Sequence, residues 1–181
     1  MANIAEEVRV GVDGVVSIAL AAGAAPTSAV SVLTTPWKDY GYVSEDGVEE
    51  STEVSSDKIR AWQNAKVVRT SITEASVTWK FVLIQTNADS VGLYHNGIVG
   101  ADGSIVVNPG KVRPTFGAVI DVIDGDEIIR SYAPEAQVSE VGSLVYQNGA
   151  PIGYEITIEA AYNETLGGSV KKWYKSLSTT G

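Results

Sequence analysis

Two stretches of this chain alternate apolar and polar side chains so regularly that only one kind of backbone fits them. Val77, Trp79, Phe81 and Leu83 alternate with Thr78, Lys80, Val82 and Ile84, and further on Ile152, Tyr154, Ile156, Ile158 and Ala160 alternate with Gly153, Glu155, Thr157 and Glu159. A period of two belongs to strands, whose successive side chains point to opposite faces. In the second run one face is apolar and the other acidic, so that strand should cover a core on one side only. Asp102-Gly103, Asp124-Gly125 and Asn148-Gly149 punctuate the chain, and such pairs supply the positive φ angles that tight hairpin turns need. Abundant Val, Ile, Thr and Tyr, 18 glycines and a single methionine agree with strands and turns rather than helices. The expected fold is mostly β, a β-sandwich or barrel.

The pattern predicts strands over residues 8–10 and 15–20 around a turn at Asp13-Gly14, and a hairpin from 67–74 to 77–84. Further hairpins are predicted over 98–107, over 118–132 about Asp124-Gly125, and from 137–146 to 152–162 across Asn148-Gly149. One short flanking α-helix is expected after Thr86: Asn87 or Asp89 can accept hydrogen bonds from its free N–H groups, and Gly97 can close its other end. At 181 residues the chain suits one domain with a sizeable core.

Two segments resist a purely internal explanation. Residues 36–58 read as a long loop with turn signals at Tyr40-Gly41 and Asp46-Gly47. They include Asp39, Glu45, Asp46, Glu49, Glu50, Glu53 and Asp57, with no base from Asp39 to Asp57. A loop of that length is usually functional or disordered. The end of the chain reads differently: Lys171, Lys172 and Lys175 stand beside Trp173, Tyr174 and Leu177 after Gly167-Gly168. The division expected is a β domain over 1–163 and a C-terminal arm over 164–181. The arm's charge is opposite to that of the body, which suits packing on the acidic surface of another copy.

Composition also excludes function classes. A net charge of −9 disfavours an outward-facing nucleic-acid binder. With no cysteine and one histidine, His95, neither thiol chemistry nor a histidine metal site is available. Asp121, Asp124, Asp126 and Glu127 lack the EF-hand spacing, and no P-loop or dinucleotide fingerprint is present. A carboxylate pair drawn from distant strands is left open by spacing alone. Trp37, Trp62, Trp79 and Trp173 leave open a carbohydrate-binding sandwich. Residues 1–7 lack the basic start of a signal peptide, and the apolar stretch 15–25 is too short to span a bilayer. Neither is expected. The reading is a non-enzymatic, self-associating β subunit without cofactor or metal.

The segment Ala25-Pro26-Thr27-Ser28 through Pro36-Trp37-Lys38-Asp39-Tyr40-Gly41-Tyr42-Val43-Ser44-Glu45-Asp46-Gly47-Val48 resembles the N-terminal signature of major tail (tail tube) proteins of long, non-contractile-tailed bacteriophages. Ile59-Arg60-Ala61-Trp62-Gln63, Val67-Val68-Arg69-Thr70, Ser76-Val77-Thr78-Trp79-Lys80-Phe81 and Thr86-Asn87 follow in the order and spacing of that family. The resemblance covers residues 15–97 well and the later strands loosely, and the end after Asn163 has no match in it. It implies a tail tube subunit with no catalytic residue, in which sixfold rings join their inner strands into a closed β-barrel. The rings stack into the conduit for genome DNA. In that family the long loop contacts the next ring, which makes Trp37, Asp39, Tyr40, Tyr42, Glu45, Asp46, Glu49, Glu50, Glu53 and Asp57 interface candidates. Implied partners are copies of the chain, a tape measure protein, a tail terminator and distal tail or baseplate proteins. The implied location is the virion tail, assembled in the host cytoplasm, with no membrane.

DNA should pass through a lumen without specific binding, because acids repel phosphates, and Asp121, Glu155 and Glu159 are the lumen candidates. Lys171, Lys172, Trp173, Tyr174 and Lys175 are the arm's contact candidates. A tube protein of a contractile or secretion machine satisfies the same chemistry.

Overall fold

A computed structural model describes residues 7–177, apart from the side chains of Thr73 and Glu74. The polar start before Glu7 and the end of the arm after Leu177 lie outside the described residues. The strands are β1 (Asp13–Ala19), β2 (Lys38–Asp39), β3 (Val43–Arg60), β4 (Val67–Leu83), β5 (Phe116–Asp124), β6 (Glu127–Val141), β7 (Tyr154–Ala160) and β8 (Lys171–Tyr174). The one α-helix among the described residues is α1 (Ala88–His95). All strand pairs are antiparallel, in the order β2-β1-β5-β6-β7-β4-β3, with β8 added to β6. The two outermost strands, β2 and β3, are joined by Tyr40, Gly41 and Tyr42 alone, so the sheet must curl back on itself. It is sandwich-like and open in the single subunit.

The alternating runs place the core where their periodicity demands. Trp79, Phe81 and Leu83 of β4 and Tyr154, Ile156, Ile158 and Ala160 of β7 are buried together with Val16, Ile18, Ala118, Ile120, Ala133, Ala136 and Val138. A second, smaller cluster lies on the opposite face of β1, β5 and β6, where Ala19, Trp37, Val119 and Tyr132 meet Leu33 and Trp173. Trp37 stands edge-on to Tyr132 with centroids 6.0 Å apart, and its Nε1–H donates to the Ala24 carbonyl at 2.9 Å. A Cβ on Gly117 would lie 3.0 Å from the Trp37 ring, so the indole needs glycine beneath it. β5 is therefore buried on both faces, which a sandwich with one solvated face does not require.

The helix forms where its cap residues predict. Asn87 and Ser90 make a capping box: the Asn87 side chain accepts from the Ser90 N–H at 2.8 Å, and Ser90 Oγ accepts from the Asn87 N–H at 3.1 Å. Asn96, one residue before the expected Gly97, adopts the left-handed conformation that ends the helix, with φ 54° and ψ 44°. Arg113 donates to the Leu93 and Tyr94 carbonyls, both at 3.0 Å, satisfying acceptors that the last turn leaves free.

Four expectations about elements are corrected. Residues 36–58 are not a loop, because 43–60 form β3, paired with β4 along its whole length apart from bulges. The residues expected as a hairpin from 67 to 84 form the single strand β4, with no turn between Glu74 and Val77. Residues 98–107 turn at Asp102-Gly103, where Gly100 N–H donates to the Ser104 carbonyl at 2.8 Å, but their flanks do not pair as strands. Residues 8–10 are not a strand, and Asp13-Gly14 lies inside β1. A Cβ on Gly14 would sit 3.1 Å from the Asp121 carbonyl, so this glycine serves close approach rather than a turn. The hairpins about Asp124-Gly125 and Asn148-Gly149 form, with β6 and β7 joined by a longer connection than a tight turn.

Candidate assembly surfaces

Only Val77–Leu83 of β4 pairs with β7; from Ser76 back to Val67 its sole strand partner is β3. The hairpin therefore continues past the sheet as a free two-stranded ribbon. At ~3.3 Å per residue its outer part, residues 53–60 of β3, reaches about 26 Å beyond the last β7 pair. The ribbon has no face on the core, and Val54, Ile59, Val68 and Ile72 are all more than half exposed. At its tip the Ala61 N–H donates to the Lys66 carbonyl at 2.8 Å, and Asn64 and Ala65 take positive φ. The tip presents Trp62, which is 98% exposed. Lys58, Arg60, Lys66 and Arg69 make residues 58–69 uniformly basic, directly beyond the acidic stretch. An isolated ribbon of this kind is marginal in water and leaves apolar surface that another chain can cover.

The second surface is the outer face of β6, β7, β4 and β3. Gln137 and Glu140 of β6, Glu155, Thr157 and Glu159 of β7, Thr78 and Lys80 of β4, and Glu49 and Ser51 of β3 stand there in register. Lys80 is the lone base in this set and pairs with Glu155 at 2.9 Å. That hydrogen bond, then the charges of Glu155, Glu49 and Glu140, raise the Lys80 pKa. The face is acidic, and it is bounded by two strands without outer partners among the described residues. One is the whole of β3; the other is the end of β6, residues 137–141, beyond the last β5 pair at Phe116 and Ala136.

The sequence-derived candidates separate on these surfaces. Glu45, Asp46, Glu49, Glu50, Glu53 and Asp57 lie exposed on β3 and its ribbon, and Tyr42 and Asp39 are exposed beside its start. Trp37 and Tyr40 are instead core residues, 9% and 1% exposed, because their indole and phenol rings fill the two apolar clusters. Glu155 and Glu159 share the acidic face. Asp121 does not: it is buried on β5, where Arg130 of β6 holds it through two hydrogen bonds of 2.7 Å. Arg130 also donates to the Ser28 carbonyl at 3.3 Å and to the Ser31 carbonyl, so the pair pins residues 28–31 across the sheet.

The C-terminal arm docks on its own subunit. β8 pairs with β6 over residues 129–132, Trp173 stacks obliquely on Tyr132 with centroids 6.4 Å apart, and Lys171 Nζ lies 4.9 Å from the Trp173 ring centre. Lys172 pairs with Glu50, whose other oxygen accepts from Trp79 Nε1 at 2.8 Å. Lys175 donates to the Asp126 carbonyl, while Tyr174 is 40% exposed. The match of basic arm to acidic surface is thus made within the chain. Sequence reasoning missed the basic tip, although its four cations without an acid are visible in the residues themselves.

Among the described residues no group of three or more His, Cys, Asp or Glu is placed to hold a metal ion, and no helix is long and apolar enough to cross a membrane. His95 stands edge-on to Tyr94 at the end of α1. Of the four tryptophans only Trp62 is exposed, so no platform of several indoles forms. A ribbon without a core and a sheet face bounded by bare edges are features of a subunit that associates. A family model described as phage tail tube protein matches residues 1–176. The chain belongs to the phage tail tube protein family. A search of the curated proteins finds no match. As a tail tube protein it is a structural component of the virion tail, and its family implies self-association into a tube.

Proposed function

We propose that this tail tube protein assembles into stacked hexameric rings whose lumen conducts the genome during ejection. The observation that carries the reading is the acidic four-stranded face with a bare strand at each side. An unpaired edge recruits a strand, and closure into a barrel removes edges altogether. Joining β3 of one subunit to the end of β6 of the next continues the sheet around a ring. It leaves Glu49, Glu140, Glu155 and Glu159 on one surface, and that surface is the lumen. The acids there keep a passing duplex from adhering, since DNA adhesion depends on cations that neutralise phosphates.

The β3–β4 ribbon supplies the contact between rings, because it leaves the sheet along the strand direction and carries uncovered apolar side chains. Capping of the tube ends by a terminator and by distal tail proteins, a tape measure protein inside, and assembly in the host cytoplasm complete the reading. Negative-stain microscopy of the concentrated protein tests it. Rings or tubes with sixfold end views are expected, and a strict monomer at every concentration would refute it.

A further inference from the structure

We propose that the Trp62 indole of one copy plugs an apolar socket beside α1 on a second copy in the neighbouring ring, so that every subunit carries both a knob and its hole. This rests on the stacked-ring reading and names the residues of its ring-to-ring contact. The socket is a cavity of about 570 Å³ between α1 and the segment leading into β5. Its floor is made by Leu93 and Phe116, both buried. Its rim is made by Leu20, Ile98 and Val112, which are 60%, 88% and 85% exposed. Three large aliphatic side chains bared around one opening mark a covered surface. Arg113 also lines the cavity, and its bonds to the Leu93 and Tyr94 carbonyls fix the plane of its guanidinium. An indole is the side chain that best fills such a hole, burying a large apolar area while stacking on a guanidinium face.

Trp62 is held on a built turn, with the Arg60 guanidinium donating to the Ala65 carbonyl at 3.2 Å. β4 begins just after that turn and ends just before α1, and its 17 residues make it about 56 Å long at ~3.3 Å per residue. Knob and socket therefore sit at opposite ends of one strand, out of reach of each other within a copy. A knob and a hole at opposite ends give a head-to-tail contact that repeats without closing, as a filament requires. The acids open to the basic tip stand beside the socket rather than in it: Asp39, Glu45 and Asp46 are exposed at that end, whereas the lining holds Lys111 and Arg113 with Asp89, which pairs with Lys38 at 2.8 Å. Opposite charge sets the orientation of approach, and the indole supplies the buried area.

The chain has no cysteine, so paired substitutions report the contact without background. Full-length Gln63→Cys/Ile98→Cys, which keeps Trp62, is assembled and oxidised, and covalent species are resolved by denaturing electrophoresis. The expected result is a ladder of multimers; a one-to-one mixture of the two single variants should stop at dimers, and each single variant should remain monomeric. Tubes of the double variant that yield only monomers would overturn the proposal, as would dimers from Gln63→Cys alone, which indicate tip-to-tip contact. Trp62→Ala should raise the critical concentration for tubes at least tenfold. Unchanged assembly of that variant would also overturn the proposal and leave the socket to some other occupant. Failure of the unsubstituted protein to form tubes is a separate result, since it removes the stacked-ring reading itself.

Discussion

Replacing residues 53–76 with an Asn-Gly turn between Thr52 and Val77 removes the ribbon and leaves every strand pair of the main sheet in place. The ribbon is exposed on both faces, so its loss removes almost no buried area from the subunit. Unfolding free energy should then change by no more than ~1 kcal/mol, the range of surface changes and of small loop-closure differences. Assembly should respond quite differently. Val54, Ile59, Trp62, Val68 and Ile72 are each 53–98% exposed, and full burial of one large apolar side chain contributes ~1.5–3 kcal/mol. Together they offer ~5–10 kcal/mol before the costs of ordering and association. If only ~3 kcal/mol of that survives as net affinity, its removal raises the critical concentration about a hundredfold. Urea unfolding followed by circular dichroism measures the first quantity, and pelleting with electron microscopy measures the second. The expected product is a stable subunit that forms rings at most. A shortened chain that polymerises as the full chain does would refute the assignment of the ribbon to ring-to-ring contact. One that unfolds several kcal/mol more easily would show that the ribbon belongs to the cooperative core.

Two further outcomes follow from the interior. Asp121→Ala leaves Arg130 buried and without its carboxylate and loosens residues 28–31, so it should cost ~3–5 kcal/mol in urea unfolding. The apolar double substitution Asp121→Leu/Arg130→Met should recover most of that, and a single-site loss below ~1 kcal/mol would contradict the burial argument. Tyr40 responds to pH: burial, and secondly the charge of Asp89, push its pKa up to about 12 from 10.0. A raised phenol pKa stabilises the fold fully below pH 10 and loses that contribution, on the order of 2–3 kcal/mol, as pH rises through 12. The stability difference between the unsubstituted chain and Tyr40→Phe should thus be constant from pH 7 to 9 and shift toward the Phe variant between pH 10 and 12; a flat difference throughout would contradict it.

How legible a segment was depended on how much of it the subunit buries. Val77–Leu83 and Tyr154–Ala160 each put one face on the core, so burial imposed a period of two that could be read directly. β3 escaped because nothing inside the subunit covers its outer half. An edge strand paired on one side and solvated on both faces carries no alternation, and its Glu, Asp and Ser residues resemble a loop. The ribbon half of β4 hid for the same reason. Trp37 and Asp121 were misplaced by the opposite effect: the second face of β5 and β6 is covered by residues 20–37 and by β8, and neither segment carries a periodic signal. Sandwiching β5 from both sides turned a presumed surface acid into half of a buried ion pair. The arm's charge pointed to the acidic surface of another copy, whereas its one ion pair among the described residues, Lys172 with Glu50, lies within the chain; charge alone does not say whose surface it meets.

The docking of that arm bears on which edges are left for neighbours. β8 occupies β6 over residues 129–132, and β2 lies against the end of β1. Among the edges without a partner in the described residues, β3 in its entire length and residues 137–141 of β6 both border the acidic face. Strand addition at β3 and at residues 137–141 of β6 would extend the sheet that carries Glu49, Glu140, Glu155 and Glu159. Curling the sheet with its acidic face inward brings those acids closer together, a repulsion that Lys80 bonded to Glu155 relieves in part. These edges support the proposed ring, in which the inner wall would be acidic and the ribbon, leaving the sheet along the strand direction, would meet the next ring.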